Sequence, residues 1–137
     1  MFNQTFMNYK IIFQLSLLGL VMGLATVFWI PSNAEPFYWL VIFIISAYFI
    51  ALKSSGKYFM SGFWVSIANC IWITATHIIF FHTYIASHTR EADMMANMPL
   101  PDSPRLMMLI TEPIVGILSG LVLGLFAFLA SRIMQKK

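Results

Sequence analysis

The chain has 137 residues, of which 60% are apolar and only 9% charged, and its mean hydropathy is +0.82. A soluble domain carries about 25% charged residues, so this sequence cannot clothe a folded core in a water-facing surface and must use lipid as its solvent. The net charge of +3 comes from cations gathered at helix ends, a topology signal and not a nucleic-acid footprint, and a single cysteine, Cys70, excludes an intrachain disulfide, a CxxC pair or a zinc knuckle.

The fold class expected is all-α, one four-helix transmembrane domain over residues 1–137. The first span is predicted over 11–30, stopped by Pro31-Ser32-Asn33. Ser32-Asn33-Ala34 resembles a signal-peptidase site. However, twenty apolar residues exceed a signal h-region and only Lys10 precedes them, so a retained span is expected. The second span, 37–52, lies between Glu35-Pro36 and Lys53-Ser54-Ser55-Gly56; it is short, so it should stand nearly upright. The third is expected to stay helical from 58 to 86.

A polar connection follows. Arg90-Glu91-Ala92-Asp93 should carry the helix out into water, and Met98-Pro99-Leu100-Pro101 should force an extended turn. The last span, 104–134, starts at Ser103, a good cap, and Pro104, which suits a first helical position.

Lys10, Lys53, Lys57, Arg132, Lys136 and Lys137 fall on one side of such a bundle, and only Arg90 and Arg105 on the other. The positive-inside rule then puts both termini in the cytoplasm. Trp29, Tyr38, Trp39 and Tyr84 toward the outer side, and Tyr9, Tyr58 and Trp64 toward the inner, sit where aromatic belts belong.

Small residues let helix backbones approach closely in lipid. Gly19 and Gly23 on the first helix, and Gly116, Gly120 and Gly124 on the last, are spaced four apart. They are expected to pack the first helix against the last within one chain, or else to form a homo-oligomer seam.

The feature that least suits a purely structural protein is Glu112, about two turns into the last helix and followed by Pro113, which should bend the helix there. At about 100° per residue, Ser66, Asn69, Cys70, Ile73, His77, Tyr84 and His88 share one side of the third helix, and His82 points away from His77. Either His77 or His82 could bond Glu112, so the intramembrane polar cluster comprises Glu112, His77, His82 and Asn69. The ordinary role of such groups is interhelical glue, and the sharper one is a proton or cation relay.

A copper site from Met94, Met95, Met98, Met107 and Met108 with His82 and His88 is set aside, because these thioethers show no tight spacing. Haem is set aside because only the third helix carries histidine. No metal or cofactor is therefore expected. The sequence contains no P-loop, GxSxG, HExxH or dinucleotide fingerprint, and the acids Glu91 and Asp93 suit a solvated face, so no enzyme is expected.

The run Lys53-Ser54-Ser55-Gly56-Lys57-Tyr58-Phe59-Met60-Ser61-Gly62-Phe63 enters a third helix whose outer end bears His and Tyr. A polar outer segment then leads to a glycine-spaced last helix closing on Arg132 to Lys137. This layout resembles a bacterial four-helix membrane family, common in the Bacteroidetes and catalogued only as a domain of unknown function. The resemblance implies an inner-membrane location and four spans, and it brings no activity or site residue with it. The function expected is that of a small accessory or scaffold protein, held in the bilayer as a homo-oligomer or in a larger membrane complex. The alternative is a homo-oligomeric proton- or cation-coupled transporter using Glu112 and its histidines.

Overall fold

Four helices in the computed structural model are long and apolar enough to cross a membrane. The structure describes residues 9–31, 33–54, 56–97 and 102–135. The expected Met98-Pro99-Leu100-Pro101 turn, Lys136 and Lys137, and the side chains of Glu91 and Met95 lie outside the described residues. The elements are α1 (Tyr9–Phe28), α2 (Glu35–Lys53), α3 (Tyr58–Ile79), α4 (Phe81–Ser87), α5 (Thr89–Ala96) and α6 (Pro104–Gln135). Pro36 occupies the first turn of α2 and Pro104 opens α6, positions where the missing N–H would have no helical partner anyway. The α2–α3 turn puts Gly56 at φ 150 and Lys57 at φ 52, and the first of these is cheap only for glycine.

The third span departs from expectation. Instead of one helix over 58–86, α3 ends at Ile79, Phe80 leaves helical geometry at φ −103 and ψ 37, and α4 starts afresh. No glycine or proline marks the break. What the redirection gains is apolar packing: Phe81 and Tyr84 join Val27 of α1 and Met108 of α6 in a small buried cluster, and the Phe28 and Phe80 rings meet edge to face at 5.3 Å. The polar stretch after Ser87 forms the separate helix α5 and does not prolong α3.

The glycines also find other partners than expected. Both stripes face α3. A Cβ on Gly19 would strike Asn69, and one on Gly23 would strike the Thr76 hydroxyl. On α6, Gly116 faces Cys70, Gly120 faces the Phe63 ring, and a Cβ on Gly124 would lie 2.8 Å from the Phe59 carbonyl oxygen. The packing of α1 against α6 foreseen from spacing is thus replaced by α3 standing between them, and a glycine seam to another copy would need the surface that α3 already covers. The paired positions rise together along α1 and α3 and run opposite ways along α3 and α6. So α1 and α3 are parallel neighbours, and α6 is antiparallel to α3. Helix α2 packs mainly on α6, with Phe43 edge to face on Phe126 at 6.2 Å.

Four helices meet only near the end that carries Lys10, Lys53 and Arg132. There Ile11, Ile12, Leu15, Ala47, Ile50, Val65, Leu123 and Ala127 form the main apolar core. The outward faces of α2 and α6 stay apolar and exposed, from Val41, Ile44 and Ile45 to Val115, Leu118 and Val122. Faces so large and continuous suit a lipid surface.

Candidate functional site

Between the two apolar clusters lies a polar layer built by three helices. Each member arrives because a glycine contact fixes how its helix is turned. Gly23 seats α1 on Thr76, which brings Thr26, one turn further, to His77. Gly116 seats α6 on Cys70, which brings Glu112, one turn earlier, to the other side of the same ring. His77 is 3% exposed. Its Nε2 lies 2.9 Å from the Thr26 hydroxyl and its Nδ1 lies 3.0 Å from Glu112 Oε1.

The hydrogen-bond inventory constrains the protons. The Thr26 hydroxyl lies within bonding distance of both the Gly23 carbonyl, at 3.0 Å, and His77 Nε2, and when it donates to Gly23 its oxygen accepts the Nε2–H of His77. An imidazole protonated at Nε2 has only a lone pair at Nδ1, and a carboxylate is acceptor-only. Two acceptors do not meet at 3.0 Å, so one proton must lie between them. With Thr26 bonded to Gly23 it is held either as a carboxylic acid donating to imidazole or as an imidazolium donating to carboxylate, and with Thr26 donating to Nε2 a neutral imidazole donates it from Nδ1 to the carboxylate. The first two arrangements are neutral overall and use the same heavy-atom positions, so the pair can pass this proton between its members without moving a helix.

Neighbouring groups hold the layer. Cys70 Sγ donates to the Glu112 backbone carbonyl at 3.2 Å and lies 3.8 Å from Thr74 Oγ1. Ser66 donates to the Gly116 carbonyl at 3.2 Å. Glu112 Oε2 is buried and has no hydrogen-bond partner among the described residues, an unpaired polar atom of the kind that calls for an explanation beyond packing. On the far side of His77 the rings continue. Tyr84 stacks on His77 at 4.0 Å between centroids, and His88 stacks on Tyr84 at 4.2 Å, both nearly parallel. His88 is 1% exposed, and its Nδ1 bonds the Tyr84 carbonyl.

Of the expected cluster, the structure brings Glu112 and His77 together and leaves out the other two. His82 is exposed and meets only the Phe81 ring edge, at 5.6 Å, because the break at Phe80 swings its helix around. Asn69 is 2% exposed, but it faces Gly19 of α1, and both of its amide atoms lack hydrogen-bond partners among the described residues. Sequence reasoning missed Thr26, although it continues the Gly19 and Gly23 face of α1 by one turn. It also missed Arg105, noticed only as a stray cation. Its Nε donates to the Ile78 carbonyl at 3.3 Å, and its guanidinium lies 4.9 Å over the Phe81 ring.

Counting 1.5 Å per residue, His77 lies about 30 Å from Lys57 and Glu112 about 30 Å from Arg132, the full thickness of a hydrocarbon core. The pair thus sits at the end away from the lysines. Among the described residues no three His, Cys, Asp or Glu side chains are grouped to hold a metal. Two apolar surface grooves, of about 420 Å³ between α1 and α3 and about 350 Å³ between α2 and α6, touch no member of the pair. Comparison with family models, with curated proteins and with solved structures finds no match to the chain.

Proposed function

We propose that this chain is a small, non-enzymatic accessory protein of a bacterial inner membrane, with both termini cytoplasmic, whose working part is the proton-sharing pair His77–Glu112. The observation that carries this reading is the buried His77 ring held between Thr26 and Glu112 on three different helices. A site that binds only a proton needs no substrate cavity. As an accessory subunit, the protein presents lipid-compatible faces of α2 and α6 to a larger membrane assembly and reports or buffers a proton within it.

Infrared difference spectroscopy between two pH values tests the site. The intact protein is expected to show a carboxyl band and an imidazole band that change together, and both changes should vanish in Glu112→Gln. The glutamine amide can still donate to Nδ1, so this variant should keep its stability to within about 1 kcal/mol. Bands that stay constant with pH in the intact protein would reduce the pair to a structural cross-link. Capture from native membranes tests the accessory role, since a stoichiometric partner subunit is expected.

The homo-oligomeric transporter remains the second reading, motivated by the same pair. Within one chain, however, the fully buried layer around Val65, Leu123 and Ile50 lies between the pair and the lysine end. Ion flux in proteoliposomes that is lost in Glu112→Gln would favour transport.

A further inference from the structure

We propose that the His77–Glu112 pair is reached from one aqueous phase only, the one at the end away from the lysines, and that α4 is the gate, with Tyr84 as its closing residue and Arg105 as its latch. The proposal deepens the proton-sharing reading of the same site by assigning the side from which it is served.

Toward the lysine end the way is closed twice. The polar groups nearest the pair have their hydrogens committed to backbone carbonyls: Ser66 to Gly116, Cys70 to Glu112 and Thr76 to Ile73. Beyond them comes the apolar layer in which Val65, Ile50, Leu123 and Ala127 are all 0% exposed. Four helices pack this layer, and the buried polar groups beside it, Asn69, Ser46 and Ser61, make no hydrogen bond to the pair.

Toward the other end lies the smaller apolar cluster, in which Phe81 and Tyr84 of α4 pack on Val27 of α1 and Met108 of α6, and α4 is its one short, hinged member. It is a seven-residue helix separated from α3 by the non-helical Phe80, so it can swing without unwinding α3. Its inner face supplies the Tyr84 ring that covers His77, and His88 at its end continues the stack to α5, whose Thr89, Arg90 and Asp93 are exposed. The helix break strands carbonyls that a continuous helix would have paired. Arg105 takes one of them, Ile78, while its guanidinium rests on Phe81, the first residue of α4. A single side chain from α6 thereby holds the hinge at the shared end of α3 and α4. The titratable and charged groups around the pair are Cys70 from α3, Tyr84 and His88 from α4, and Arg105 at the hinge from α6; α1 contributes only the neutral Thr26.

Cys70, the only cysteine, lies against the Glu112 carbonyl and reports access directly. Membrane vesicles of both orientations, sorted by protease cleavage of an N-terminal tag, are treated with a small, permanently charged thiol reagent. Intact protein should label slowly from either side. Tyr84→Ala should label about tenfold faster or more, as expected for losing two ring stacks, and only when reagent is added at the end away from the lysines. Arg105→Ala should speed labelling from the same side, and Tyr84→Phe, which keeps the ring, should not. Labelling from the lysine end at an equal or greater rate overturns the proposal, as does Arg105→Ala labelling no faster than the intact protein. Arg105 is exposed, so its variant remains informative even if Tyr84→Ala fails to fold. Because labelling reads access and infrared reads the shared proton, failure of one is distinguishable from failure of the other.

Discussion

Replacing Gly124 with leucine is expected to abolish the folded bundle. A Cβ at this position would lie 2.8 Å from the Phe59 carbonyl oxygen and 2.9 Å from the Phe59 ring. Directly opposite, a Cβ on Gly62 would lie 2.8 Å from both the Gly124 Cα and the Leu123 carbonyl. Here two backbones touch, so no side-chain rotation relieves the clash and the helices must separate. Overpacking that side chains can absorb costs about 1–3 kcal/mol. In lipid there is no hydrophobic force to compensate for lost contact between helices. Gly120 provides the internal control. Its nearest neighbour is the Phe63 ring at 2.8 Å, the end of a side chain that can turn away. Thermal unfolding in detergent, followed by size exclusion, should therefore rank the variants with Gly124→Leu well below Gly120→Leu and both below the parent. Equal stability of all three would mean that α3 and α6 do not meet along this seam.

The second large effect is expected at His77. Alanine there removes both bonds and the stack on Tyr84 at once. Interhelical hydrogen bonds in membranes average only about 0.6 kcal/mol each, so the bonds themselves are not the main loss. Thr26 also keeps its bond to Gly23. The larger cost falls on Glu112, whose Oε2 already lacks a partner and whose Oε1 would lose its own. Stranding such a buried group costs about 1–3 kcal/mol or more when charged, and the stack adds about 0.5–1.5 kcal/mol. His77→Ala should therefore lose about 2–4 kcal/mol on these terms. His82→Ala, at an exposed position, should stay within about 0.5 kcal/mol. Chemical or thermal unfolding of the two variants side by side checks the contrast.

Much of the fold was legible because lipid imposes length and apolarity on each span separately. The expected spans 11–30, 37–52 and 104–134 differ from α1, α2 and α6 by no more than two residues at either end. The break at Phe80 was not legible, since it arises from the tertiary packing of Phe81 and Tyr84 and carries no local helix-breaking residue. The glycine spacing showed that close approach was needed and could not say against what. The answer lay in α3, whose Asn69 and Thr76 meet one stripe and whose Cys70, Phe63 and Phe59 meet the other. At the site, the wheel of the third helix gathered Ser66, Asn69, Cys70, Ile73, His77, Tyr84 and His88 on one side, of which all but the half-buried Cys70 and Ile73 are buried. Choosing between His77 and His82 required the rotation of α6, which is set by the contact of Gly116 with Cys70. That is a property of two helices together, and no single helical wheel contains it.

The parallel pairing of α1 with α3, and the seat of α2 on α6, also bear on how the chain is made. As the ribosome releases it, α1 and α2 emerge first, yet they make little contact with each other. Helix α1 must wait for α3, and α2 must wait for α6. Thr26, His77 and Glu112 are likewise released far apart in time, and the carboxyl group comes last. Biogenesis is therefore weighted toward its final step. Until α6 arrives, two of the three long helices made before it, α2 and α3, lack their main partner.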